Sequence, residues 1–352
     1  MATASTNPAD DIRQQVDSLR FKINGLHDQA NLKSAIDRFT DLDSLIQNFP
    51  IRISRLRQQN YVFDPLLEKT AASWSSHWST QKPSIQAQIS IQSSRLQSYL
   101  QSLEIRFNSF AGSPAASAVQ MMNSELSQFE DQCTSTANAI DEMFADIKND
   151  IDKFNQQLAD LEYSMDRAET ASFGFLPTES MMMAVKAVWC KNGKEEKSDP
   201  EGVLFLTDQR ILFEQNEDVA TKKVLFVTTE TKKVQQLLFE VPVFSVSDAE
   251  GSKLGLFKNI DMLKLSLASG SFSDQATLHL FNQSSEEWQK IIIKAKNHEF
   301  DSNRVVPLDQ AVVEKTKSAP TKCPQCGGAI TQPVLRGMDT ITCEFCGAVI
   351  RL

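Results

Sequence analysis

No stretch of about 18 apolar residues occurs anywhere in this 352-residue chain, so no segment has the length and apolarity of a membrane-spanning helix. The opening MATASTNPADD has neither the basic region nor the apolar core of a secretion signal, and the cytoplasm is the expected location. Histidine is scarce, at four residues, and never clusters. No nucleophile and base fall at a recognisable spacing, and no glycine-rich loop has the form that cradles phosphate. The expectation is a protein that is not an enzyme. Positive charge is also short: 36 Lys and Arg face 45 Asp and Glu, a net of −9. That balance disfavours an extended nucleic-acid surface, because neutralising phosphates supplies most of that affinity.

What is present is enough for two or three domains, with 41% apolar and 23% charged residues, a globular composition. From Ile12 to Phe49 apolar residues recur at steps of three and four, as an amphipathic helix requires. Residues 51–81 carry a weaker pattern interrupted at Pro65. After Pro83 the stripe resumes through Ile85, Leu96, Leu103 and Phe110 and breaks at Gly112-Ser113-Pro114. Beyond it Val119, Met122, Leu126, Phe129, Cys133, Ile140, Met143, Ile147, Ile151, Phe154, Leu158 and Leu161 continue the period over about six heptads. The mixed seam of Phe, Met and Cys suits an antiparallel bundle or coiled coil over 1–172, and self-association or a protein partner is the expected use of such helices.

At Phe173-Gly174-Phe175-Leu176-Pro177 the helical period stops and short β-type runs begin. Strands are predicted at Met182–Cys190, Val203–Leu206, Ile211–Glu214, Val224–Thr228, Gln236–Phe239, Val243–Val246, Leu263–Leu267 and Thr277–Phe281. A helix opening at Ser284-Ser285-Glu286-Glu287 and burying Trp288, Ile291, Ile292 and Ala295 closes the segment. Antiparallel strands followed by one helix resemble a pleckstrin-homology-like (PH-like) barrel over 173–300. Within it, Gly202-Val203-Leu204-Phe205-Leu206-Thr207-Asp208-Gln209-Arg210-Ile211-Leu212-Phe213 resembles the strand–turn–strand signature of GRAM domains. That resemblance implies a docking module for a phospholipid headgroup or a protein segment. The first hairpin loop, 191–201, cancels its three lysines with four acids and offers phosphate little attraction. The candidate basic contacts are Lys222, Lys223, Lys232 and Lys233, with Lys253 and Lys258 beside Leu254, Leu256 and Phe257, a combination suited to an anionic membrane surface.

Residues 301–322 have two prolines and little periodicity and read as a flexible tether that leaves the C-terminal module free to move. In 323–352, Cys323-Pro324-Gln325-Cys326-Gly327 is answered by Cys343-Glu344-Phe345-Cys346-Gly347. Two CxxC pairs sixteen residues apart in a reducing compartment can place four thiolates tetrahedrally about one ion. The segments CPQCGG and CEFCGA resemble the knuckles of a zinc ribbon, which implies one structural Zn2+ with no open coordination position; a rubredoxin-like iron site is the rival. Ala329–Thr331 and Thr340–Thr342 are expected to pair, with Ala348–Leu352 closing. Arg336, in a loop with Gly337-Met338, is available to touch a partner. The reading is a multidomain α plus β adaptor: helical bundle, PH-like barrel with C-terminal helix, tether and zinc ribbon. The alternative is a nucleic-acid-associated factor with the ribbon as reader.

Overall fold

The computed structural model describes residues 8–224, 227–257, 259–269 and 271–352, with side chains throughout these except at 8–9, 219–224 and 227–231. The chain divides into two compact units, Met1–Pro50 with Lys69–Asn155, and Ile51–Glu68 with Gln156–Leu352. Five helices lead: α1 (Pro8–Ala30), α2 (Lys33–Gln58), α3 (Leu67–Ala111), α4 (Ala116–Glu142) and α5 (Ala145–Glu169). Among the described residues none is long and apolar enough to cross a membrane.

In the first unit the predicted stripes turn inward. Val16, Leu19, Ile23 and Leu26 of α1 are buried, as are Leu96, Leu100, Leu103 and Phe107 of α3 and Val119, Met122, Leu126 and Phe129 of α4. Each such side chain withdrawn from water contributes about 1.5–3 kcal/mol. Phe39, Trp78 and Phe144 form an aromatic cluster with centroids 5.2 to 6.4 Å apart. The Trp78 indole N–H donates to Asp43 at 2.7 Å, which satisfies its polar end.

The stripes differ from the sequence reading in two places, both at turns. Leu32 takes a left-handed φ of 55° between α1 and α2, and the register slips by one, so Ala35 is buried and Ile36 is exposed. The six-heptad stripe is likewise divided: α4 ends at Glu142, Met143 is turned out, and Phe144 takes its place in the core. Pro50 does not end α2, nor does Pro83 interrupt α3. An internal proline costs a helix about 3 kcal/mol. Burial of neighbours such as Phe49, Ile53 and Ile85 outweighs that cost.

The second unit is built on a seven-stranded sheet. Its strands are β1 (Met181–Trp189), β2 (Glu201–Thr207), β3 (Arg210–Val224), β4 (Val227–Pro242), β5 (Val246–Leu254), β6 (Ile260–Leu267) and β7 (Gln275–Leu280). They are hydrogen-bonded in the order β4-β3-β2-β1-β7-β6-β5, each neighbouring pair antiparallel. Helix α6 (Ser285–Lys296) buries Trp288, Ile292 and Ala295. A Cβ on Gly251 of β5 would lie 2.4 Å from the Ser285 carbonyl oxygen, so only glycine lets the start of α6 approach that strand. The result is the expected PH-like module of antiparallel strands and one C-terminal helix, with β4 and β5 unpaired at the two edges of the sheet among the described residues.

Three predicted strands merge into longer ones. Ile211–Glu214 is the start of β3 and Gln236–Phe239 lies within β4. The predicted strand Val224–Thr228 falls where these two long strands meet, and residues 225 and 226 lie outside those described. Polar residues on both arms, such as Gln215 opposite Gln236, hide the alternation on which strand prediction depends. Val243–Ser245 is a 3-10 turn, and β5 begins only at Val246. The final elements are α7 (Gln310–Lys317), β8 (Thr340–Thr342) and β9 (Val349–Arg351).

Candidate metal centre and its seat on the sheet

The two CxxC segments fold as matching knuckles. Gly327 N–H donates to the Cys323 carbonyl at 2.8 Å, and Gly347 N–H to that of Cys343 at 2.9 Å. Both glycines hold left-handed φ values, 74° and 70°. Each first cysteine then pairs back, Cys323 N–H to Gly328 and Cys343 N–H to Ala348. That geometry corrects the predicted pairing. The first knuckle returns Ala329 onto Lys322, so β8 pairs with β9, placing Ile341 opposite Ile350. Ile341, Ile350 and the two leading cysteines form the whole buried core of this module.

The four Sγ atoms of Cys323, Cys326, Cys343 and Cys346 lie within 4.8 Å of one another. The Cys323–Cys346 and Cys326–Cys343 separations are 3.7 Å each. A tetrahedron with metal–sulfur bonds of about 2.3 Å has edges of about 3.8 Å, so the cluster fits such an ion. The backbone N–H groups of Cys326 and Gln325 hold the Cys323 thiol down to about 7. At Cys346 the Ala348 N–H pulls the same way, but the neighbouring sulfurs of Cys326 and Cys343 push its thiol up to about 12. Four sulfurs this close cannot all be anionic without a cation among them.

The loop between the knuckles is not free. Arg336 is buried and donates to Asp208 at 2.5 Å and to Asp301 at 3.0 Å. Asp208, on the β2–β3 turn, also accepts from Arg304 at 2.7 Å and from the Ser180 N–H at 2.9 Å. Burial raises its carboxyl above the ordinary carboxylate value, against the pull of Arg336 and Arg304. The Gln209 side chain pairs with the Arg336 backbone as a strand would: its Nε2 donates to the carbonyl at 3.1 Å, and its Oε1 accepts from the N–H at 2.6 Å. Gly337, with φ 81°, sits so close that a Cβ would lie 2.0 Å from the Pro177 carbonyl oxygen.

These contacts overturn two expectations. Arg336 is spent within the chain, and 301–322 is no loose tether: it carries α7 and the buried Arg304. The ion-pairing roles of Asp208, Asp301 and Arg304 left no mark in the sequence, because their partners are distant in the chain.

The rest of the Gly202–Phe213 segment is structural. A Cβ on Gly202 would lie 1.9 Å from the Glu214 carbonyl oxygen, and Leu206 and Phe213 are fully buried. Thr207 Oγ1 donates to Glu179 at 2.6 Å and accepts from the N–H groups of Gln209 and Arg210. Arg210 forms ion pairs with Glu179 at 2.7 Å and Glu240 at 2.6 Å.

Of the predicted basic contacts, Lys232 and Lys233 are exposed on β4. The side chains of Lys222 and Lys223, on β3, and the whole of Lys258 lie outside the described residues. Lys253 stands 3.8 Å from Asp261, which offsets its charge. The apolar neighbours stand out more. At the β5–β6 tip Leu254 is 53%, Leu256 98% and Phe257 89% exposed, next to Gly255 at φ 89°.

No family model matches the chain, and no curated protein matches it. Solved structures similar to it include the Vps36 N-terminal PH domain, at 15% identity over 35% of this chain and 82% of that one, with a TM-score of 0.23. A pleckstrin homology domain from Shewanella amazonensis SB2B aligns at 14% identity over 39% of this chain and 96% of its own, TM-score 0.22. The DH/PH domains of p115-RhoGEF align at 15% identity over 83% and 95%, TM-score 0.23. Superpositions this loose carry no argument, and the PH-like description rests on the strand order and on α6.

Proposed function

We propose that the chain is a non-enzymatic adaptor whose PH-like module, of the GRAM type, docks on an anionic membrane surface through the β5–β6 tip. The observation that carries this reading is the pair Leu256 and Phe257, 98% and 89% exposed. Transfer of a Leu or Phe side chain out of water is worth about 1.5–3 kcal/mol. A lysine near an anionic bilayer adds about 1 kcal/mol. The apolar tip therefore dominates, and Lys232, Lys233 and Lys258 supply the preference for negative lipid, with Lys253 adding less because Asp261 offsets its charge. The four cysteines hold one structural Zn2+, which supplies the folding free energy that the small core of the ribbon lacks. The helices serve self-association or a protein partner.

Nucleic-acid reading by the ribbon is less favoured, since Arg336 already serves Asp208 and Asp301. The test is flotation of the full chain with phosphatidylserine-containing and with neutral vesicles, beside Leu256→Asp/Phe257→Asp. Binding to the anionic vesicles alone, falling at least tenfold in the double variant, is the expected result. Equal flotation of both proteins removes the tip from the account.

A further inference from the structure

A cavity of about 450 Å³ lies within the second unit, walled by the β2–β3 turn, the 3-10 turn after β4, the end of α6, α7 and the ribbon loop. That volume falls in the range of small-molecule sites and is too confined for a folded partner. Its surface is mainly apolar, and Phe244, Val313, Val334 and Leu335 are among the side chains that line it. Phe244 is 47% exposed, an aromatic ring facing open space.

The charged groups on the wall are not balanced. Asp208 is already paired with Arg304 and Arg336, and Asp301 with Arg336 and, at 3.5 Å, with His298. Lys296 also lines the cavity and donates to the Ser247 carbonyl at 3.2 Å, a neutral acceptor. Lys317 of α7 also lines the cavity and meets Glu314 of its own helix only at 3.3 Å, with both side chains more than two-thirds exposed. An exposed pair of that kind is worth at most about 1 kcal/mol and is readily exchanged for another anion. The acids of the wall are thus neutralised while its two lysines are available.

We propose that this cavity binds a small amphipathic anion, an alkyl chain carrying a single carboxylate or phosphate. The chain would lie against Phe244, Val334 and Leu335, and the head group would meet Lys296 and Lys317. Neither the β5–β6 tip nor membrane docking is needed for this binding. The free acid and the bilayer phospholipid share this chemistry, and the test separates them.

The zinc-loaded full chain is titrated calorimetrically with decanoate, decyl phosphate and decyltrimethylammonium, each below its micellar concentration. Binding of the two anions at one per chain is expected, at least tenfold tighter than the cation. In Lys296→Glu/Lys317→Glu, whose substituted side chains are not part of the core, anion affinity is expected to fall at least tenfold with an unchanged circular dichroism spectrum. Addition of phosphatidylserine vesicles then identifies the source: displacement of bound decanoate assigns the site to bilayer lipid, and retention assigns it to a free acid. No binding of either anion at millimolar concentration, equal binding of the cation, or undiminished affinity in the double variant overturns the proposal.

Discussion

Asp208 is the residue on which two modules meet. It receives Arg336 from the ribbon and Arg304 from the segment before α7, each with its side chain under a tenth exposed. Removing one partner of a buried pair leaves an uncompensated charge, at a cost of about 3–5 kcal/mol. Arg336→Ala is therefore expected to lower stability by about 3 kcal/mol in urea unfolding, whereas Lys253→Ala, at a partly exposed pair, changes it by less than about 1 kcal/mol. Arg57 sets a second test. It donates to Glu68 at 2.8 Å and to the carbonyls of Tyr61, Phe63 and Asp64, and it holds the Glu68 carboxyl below the usual carboxylate range. A carboxylate depressed on folding contributes stability above its unfolded value of about 4.3 and loses it as pH falls through the folded value. The melting temperature of the native chain should exceed that of Glu68→Gln near neutrality, and the gap should close on acidification.

Single elements show where local sequence decides structure and where it does not. The knuckles were legible because a CxxCG turn is self-contained: its glycine and its backbone bonds lie within six residues. The full length of β3 and β4 was not, because polar residues on both arms hide the alternation, and neither was the slip from Met143 to Phe144, which depends on what packs against the chain. The ribbon loop belongs to the second kind, and Gly337 gives it a sharp test. Gly337→Ala meets both a positive φ and the Pro177 carbonyl, whereas Gly347→Ala meets a positive φ with open space around it. The Gly347 change should cost roughly 1–2 kcal/mol. The Gly337 change should unseat the loop, so that trypsin cleaves at Lys315 and Lys317 several times faster while the metal content stays at one ion per chain.

At the scale of the whole chain, the helical, sheet and ribbon segments could be read from hydrophobic period and cysteine spacing. The seating of the ribbon on the sheet could not, because it rests on four charged residues scattered from 208 to 336. A ribbon held by metal and seated by ions makes metal removal visible beyond its own residues. Chelation should release Arg336 from Asp208 and raise the hydrogen exchange of the β2–β3 turn. The same treatment should leave exchange in α1 and α4 unchanged.

The claim that the β5–β6 tip enters a bilayer is tested most directly by Phe257→Trp with brominated lipids. In anionic vesicles the added indole emission should shift to the blue and be quenched by bromine near the headgroups, and neither change should occur in neutral vesicles. The parent protein, with Trp78 and Trp288 buried and Trp74 and Trp189 half-buried, gives the baseline emission and quenching from which both changes are read. An added indole that stays solvent-exposed and unquenched while the protein floats with the vesicles would place membrane contact elsewhere and contradict this account.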